Sequence, residues 1–192
     1  MNKIPTFEKF SHDSFIKETY HLVEGYISYN EYQELIGESF FKLNFIKDLF
    51  TNPLQKRNLD KLGQDLLKTK IELMKLEIEE DSIDSFKSQL NQMKRGDNEY
   101  EIANDEIEIA DRAKAAKIKA LQDRESAIAD QMDQLGSTSD RLQKYVNKVK
   151  FEIRIKANDA TIRIADNETQ RILKDLKKQD IIAVKDIDKE LK

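Results

Sequence analysis

From Leu54 to Lys192 the chain contains no proline and no cysteine, and its only glycines there are Gly63, Gly96 and Gly136. Proline and glycine are the residues that helices tolerate least, so their near absence leaves little to interrupt helical periodicity. Two of the three glycines fall in turn-like clusters, Arg95-Gly96-Asp97-Asn98 and Gly136-Ser137-Thr138-Ser139-Asp140. The run therefore predicts three long helices, over about 53–95, 98–135 and 138–192, joined at two short corners. The expected fold class is all-α: a small aromatic-rich helical head, then a long antiparallel three-helix bundle or coiled-coil shaft.

The division into head and shaft comes from the aromatic residues. Eleven of the fifteen Phe and Tyr residues lie between Phe7 and Phe50, and both prolines, Pro5 and Pro53, belong to this region or its border. Residues 1–52 read as the head and 53–192 as the shaft. In the head, Ile16, Tyr20, Val23 and Ile27 have the spacing of one helix face, and Ile36, Phe40, Leu43, Ile46 and Phe50 make a second stripe. Two short helices bury too little to stand alone, because packing supplies most helical stability. The head is expected to dock on the shaft or on a neighbour, with Phe40, Phe41, Phe45 and Phe50 as aromatic anchors for a partner.

Asn52 and Pro53 form a helix-start signal, since proline at the first helical position loses no hydrogen bond. Leu59, Leu62, Leu66, Thr69, Leu73 and Leu76 then keep coiled-coil spacing, flanked by Leu67, Ile71, Met74 and Ile78. Two adjacent stripes predict a multi-helix bundle, with a register slip between Ile78 and Ile83. The second helix carries an alanine-rich seam of Ile102, Ile109, Ala113, Ala116, Ala120 and Ala127, expected to admit a close neighbour. Its opposite edge is Ile107, Ala110, Ile118, Leu121, Ile128 and Leu135. Ser137 and Asp140 are the expected cap of the third helix.

Residues 97–140 hold five Lys/Arg against twelve Asp/Glu, and 141–192 hold fourteen against nine. Opposite signs across a tight corner favour an antiparallel hairpin, although an exposed ion pair contributes only ~0.2–1 kcal/mol. Ala103-Asn104-Asp105 followed by Ile107-Glu108-Ile109-Ala110-Asp111 recurs as Ala157-Asn158-Asp159 followed by Ile162-Arg163-Ile164-Ala165-Asp166, a match open to two readings, an old duplication or the coincidence that biased composition easily produces. At ~1.5 Å per residue, an unbroken third helix would project ~20 Å past the Gly96 corner. That overhang would expose Ile181, Ile182, Val184, Ile187 and Leu191, which are the expected partner or oligomer interface.

Little in the sequence points to chemistry. Ser11-His12-Asp13 has the residue types of a hydrolase triad, but sequence neighbours cannot form its chain of hydrogen bonds. Glu18, His21 and Glu24 have metal-ligand spacing on one helix, whereas helical di-metal sites need a second such motif and further glutamates. With no cysteine there is no thiolate site, and no phosphate-binding glycine loop is present. No metal or cofactor is expected, and no enzyme. Arg171, Lys174, Lys177 and Lys178 form the densest basic patch and would be the phosphate contacts of a nucleic-acid partner, but no aromatic residue interleaves them.

Charged residues make up 36% of the chain at a net charge of −4, a balance of apolar and charged residues that suits a solvated bundle better than disorder. No apolar run approaches the ~20 residues of a membrane span, and Met1-Asn2-Lys3-Ile4-Pro5 lacks a signal-peptide core. The expectation is an intracellular or virion protein with no membrane contact. Its expected role is that of a non-enzymatic structural component of a multi-subunit assembly with protein partners. A nucleic-acid-binding or portal-type adaptor is the alternative, and a metal-dependent helical enzyme a remote third.

Overall fold

In the computed structural model every regular element described is an α-helix, so the fold class is all-α. The described residues are 15–37 (apart from Glu18, Val23, Gly25 and Tyr26), 53–78, Leu90 and 98–191. The helices with defined bounds are α1 (Tyr29–Gly37), α2 (Pro53–Ile78), α3 (Asn98–Gly136), α4 (Asp140–Thr161) and α5 (Asn167–Leu191). Asn52, the 79–89 and 91–97 segments with the Gly96 corner, and the Phe40–Phe50 stripe lie outside the described residues.

Pro53 opens α2, as the helix-start signal predicts. Leu59, Leu66, Thr69 and Leu73 of its first stripe and Leu67 and Ile71 of its second are all buried. That double face packs against both α3 and α4.

Helix α3 runs 39 residues, about 58 Å, without interruption. Here the expected packing face is corrected. The alanine-rich seam faces solvent: Ala113, Ala116, Ala120 and Ala127 are exposed, and Ile102 and Ile109 are 55% and 67% exposed. The edge carrying Leu121 and Ile128, extended by Met132, is the one buried. Burial scales with apolar area, and Leu, Ile and Met side chains remove far more of it from water than Ala.

At the corner, a Cβ on Gly136 would meet Gln143 Oε1 at 2.5 Å and the Gln143 backbone Cα at 3.1 Å, so glycine permits the approach of α4. The cap of α4 is Ser139 rather than Ser137: the Leu142 N–H donates to Ser139 Oγ at 3.2 Å, while Ser137 Oγ donates to the Gln134 carbonyl. Helix α4 is the hub of the fold, touching α1, α2, α3 and α5. Val146, Ile153, Ala157 and Ala160 are fully buried along it.

The third long helix expected over 138–192 is broken. After Thr161 the chain turns through Ile162–Ala165, and Asp166 caps α5: the Thr169 N–H donates to Asp166 Oδ1 at 2.6 Å and the Gln170 N–H to the Asp166 carbonyl at 2.9 Å. The Ile164 N–H closes the turn on the Thr161 carbonyl, and Thr161 Oγ1 back-bonds to the Ala157 carbonyl, an interaction that bends helices. Helix α5 therefore folds back along α4 as an antiparallel hairpin, and the overhang does not exist. Arg141 donates to the Leu191 carbonyl, Lys144 pairs with Glu190, Lys148 with Asp188, Arg154 with Asp180, and Lys177 with Asp159. Each step toward the corner on one helix is matched by a step on the other. Burying Leu173 and Leu191 contributes roughly 1.5–3 kcal/mol apiece, more than any exposed ion pair, so apolar burial closes the hairpin and the charges set its register.

Asp166→Ala should cost about 0.5–2 kcal/mol by removing this cap and lower the melting temperature by roughly 2–6 °C. Thermal circular dichroism measures it; an unchanged transition would mean the cap contributes nothing to the fold-back.

In the head, residues 15–17 and 19–20 are helical, but the chain enters a turn at His21–Leu22. Ile27 is therefore not on the helix face with Ile16, as the spacing predicts, although both are buried at 3% and 1% exposure. Tyr20 explains the arrangement. Its Oη donates to the Ile27 carbonyl at 3.0 Å, and its ring stands edge-on to Tyr29 with centroids 5.2 Å apart. Ser28 and Glu31 form a reciprocal capping box that opens α1. Phe15, Ile16, Ile27, Tyr32 and Ile36 join the same core as α2, α3, α4 and Leu191, so the described part of the head docks on its own shaft.

Candidate interaction surfaces

The docking of the head on α4 rests on two polar contacts over an apolar base. Lys156, only 4% exposed, donates from Nζ to the Ile36 carbonyl at 2.8 Å, at the end of α1 where helix carbonyls lack intrahelical partners. Burial pushes this amine down to about 7, against the opposing pull of the Glu152 carboxylate. Glu152 is itself pushed above the usual carboxylate range by burial, with Lys148 and Lys156 acting in the other direction. At the rim of α1, Arg163 pairs with Glu31 at 2.8 Å, and this bond together with those from Ser28 holds the Glu31 carboxyl down to about 2. A buried amine with a poised pKa can mark a reactive site. This one is spent on a backbone carbonyl between two helices, and its geometry is that of a structural pin.

The residues expected at an apolar C-terminal interface are scattered by the fold-back. Leu191 is buried, and Ile187 packs partly buried against the core. Ile181 and Val184 are half-buried on α5, and Ile182 stands at 59% exposure on its outer side. Phe40, Phe41, Phe45 and Phe50 lie outside the described residues. Of the basic set, Lys177 is tied to Asp159 and Lys178 to Asp175, while Arg171 and Lys174 are exposed. Arg171, Lys174 and Lys178 thus share one exposed face of α5, and Lys177 turns toward α4.

His21 and Glu24 sit in turns, so the helical metal-ligand spacing does not hold there. Among the described residues there is no group of three or more His, Asp or Glu side chains that could hold a metal ion. No helix among them is long and apolar enough to cross a membrane.

Two features escaped the sequence pattern. One is Lys156, whose only signal was a lysine between Ile153 and Ala157 on an otherwise apolar face. The other is the exposure of large apolar residues on outer faces, Ile102 and Ile109 on α3 and Ile172 and Leu176 on α5, which stand there with Ile182. Comparison of the chain with protein-family models, with curated proteins and with solved structures yields no match. Geometry alone carries the functional reading.

Proposed function

We propose that this protein is a non-enzymatic structural component that joins protein surfaces within a larger assembly, of the virion or a similar multi-subunit kind. The observation that supports this most is the pair of outer faces just described. Ile102, Ile109, Ile172, Leu176 and Ile182 are each 45–67% exposed on two long helices. Scattered exposed apolar side chains are ordinary, but isoleucines repeated along one helix face favour contact with another protein. The mechanism is geometric: α3 is a rod about 58 Å long, packed along α2 and exposed on its outer face, that holds partners at a set distance.

The native mass in cell extract tests this reading. The protein should migrate in gradients as a complex well above its 22.5 kDa chain mass. Migration as a free chain in extract would overturn it. The nucleic-acid reading has weaker support, because two of the four basic residues assigned to it are neutralised within the chain. A salt titration against duplex DNA separates the two, since phosphate contacts make affinity fall steeply with salt.

A further inference from the structure

We propose that α3 pairs with α3 of a second copy of this chain, antiparallel and centred near Asp111, through its outer Ile102–Ala120 face. This inference rests on the assembly reading above and names one partner within it.

Between Tyr100 and Ala120 no described residue of α3 is buried, whereas Leu121, Ile128 and Met132 beyond it are. The N-terminal half of the helix thus extends past the part that α4 covers. On its outer side Ile109, Ala113, Ala116 and Ala120 follow at three- and four-residue steps, the spacing of a coiled-coil seam, and Ile102 lies one heptad before Ile109 with Glu106 at the position between them. Small side chains let two helix axes come close. The isoleucines supply the apolar anchors.

The charges beside this seam select the partner and its direction. Glu101, Asp105, Glu106 and Glu108 lie toward the N-terminal end, and Arg112, Lys117 and Lys119 toward the middle. A parallel, in-register pair would set acid beside acid and base beside base. An antiparallel pair that places Ile109 opposite Ala113 of the other copy places Ile102 opposite Ala120. In the same register Asp105 faces Lys119 on one flank, where the two Arg112 side chains meet near the dyad with a Glu108 beside each, and Glu106, opposite Ala116 in the seam, lies next to Lys117. Two-fold symmetry makes each contact off the dyad twice, the isologous arrangement of most homodimers. Within one chain Arg112 already pairs with Glu108 at 2.5 Å and Lys117 with Glu72 at 3.2 Å, and both basic groups remain more than half exposed.

The fold accommodates this pairing. The overlap covers residues 102–120, about 27 Å of helix. The part of α3 that joins the buried core, Leu121–Met132, lies beyond residue 102 of the other copy, while α2 stays beside the seam, as the Lys117–Glu72 pair shows.

Light scattering and sedimentation of the full chain test the proposal. The expected result is a concentration-dependent rise from 22.5 kDa to twice that mass. Asp105→Lys alone, or Lys119→Asp alone, should weaken the dimer about tenfold, because each homodimer then carries repelling pairs in place of attracting ones. Mixing the two variants should restore it, since both crossed contacts become complementary in the heterodimer. Both positions are exposed, so circular dichroism should show unchanged folding. The natural chain has no cysteine, so Ile109→Cys mixed with Ala113→Cys should oxidise mainly to the mixed disulfide dimer. A chain that stays monomeric at its highest soluble concentration overturns the proposal, as does a dimer insensitive to both charge swaps. Preferential linkage of Ile109→Cys to itself would mean a parallel pair and also overturn it. If the purified chain is monomeric yet runs in a large complex in extract, this pairing fails and the structural reading stands.

Discussion

Ile153→Ala should lower the unfolding free energy by about 2–5 kcal/mol, the range for removing a large aliphatic side chain from a packed core. Ile153 is fully buried, on the helix that touches four others. Nothing nearby can collapse into the space cheaply, because α4 is held by contacts with α1, α2, α3 and α5. For a chain of this size the melting temperature should fall on the order of 10 °C. Ile182→Ala is the control: at 59% exposure it should change stability by less than about 0.5 kcal/mol. Equal effects of the two substitutions in denaturant titrations would mean that α4 is not the centre of the fold.

Stability should rise with pH from about 7 to about 10, and the cause is Lys156. Its folded pKa lies near 7 and its unfolded value near 10.5, so between these limits the unfolded chain binds the additional proton. Raising the pH then favours the folded state, by about 1.4 kcal/mol per pH unit at most for this one group. Above pH 10 the trend should reverse. Burial holds the Tyr32 hydroxyl up to about 12 and pushes Tyr145 up as well, so the unfolded chain loses those protons first. Glu152 contributes at the acid end with the opposite sign to Lys156. Its raised folded pKa makes stability fall as pH climbs from its unfolded value of about 4.5 through the folded one. Urea midpoints measured from pH 6 to 11 should therefore peak near pH 10. Lys156→Met should flatten the rise between 7 and 10 while leaving the fall above 10 in place. A wild-type midpoint that does not move between pH 7 and 10 would remove Lys156 from this role.

Much of the helical skeleton was legible in residue order. Pro53 marked the start of α2, and the two leucine stripes after it marked a face wide enough for two neighbours; both faces are buried. The Gly136 cluster marked a corner, and the structure shows the additional reason for glycine there, the close pass of Gln143. Ser28 and Glu31 carried an ordinary capping-box pattern that could have placed the start of α1. Lys156 was not legible. A lysine on an apolar stripe reads as a solvent-facing exception until an unpaired helix carbonyl is found across from it.

The two copies of the internal echo separate local from tertiary causes. Ile107-Glu108-Ile109-Ala110-Asp111 lies in the middle of α3, while Ile162-Arg163-Ile164-Ala165-Asp166 forms the corner between α4 and α5. Nearly the same letters continue a helix in one place and reverse it in the other. Strong helix formers, Arg112-Ala113-Lys114-Ala115-Ala116, follow the first copy, whereas Asn167-Glu168-Thr169 after Asp166 can start a new helix.

That most of the described residues from Leu54 onward are helical follows from residue order, because breaking a helix without proline or glycine needs a compensating gain. Where the last helix folds back, and which face of α3 turns inward, were settled only by tertiary packing. Leu173 and Leu191 gain burial against α4 only if the corner forms. The alanine seam loses the competition for the core to Leu121, Ile128 and Met132, because apolar area, rather than regular spacing, drives burial.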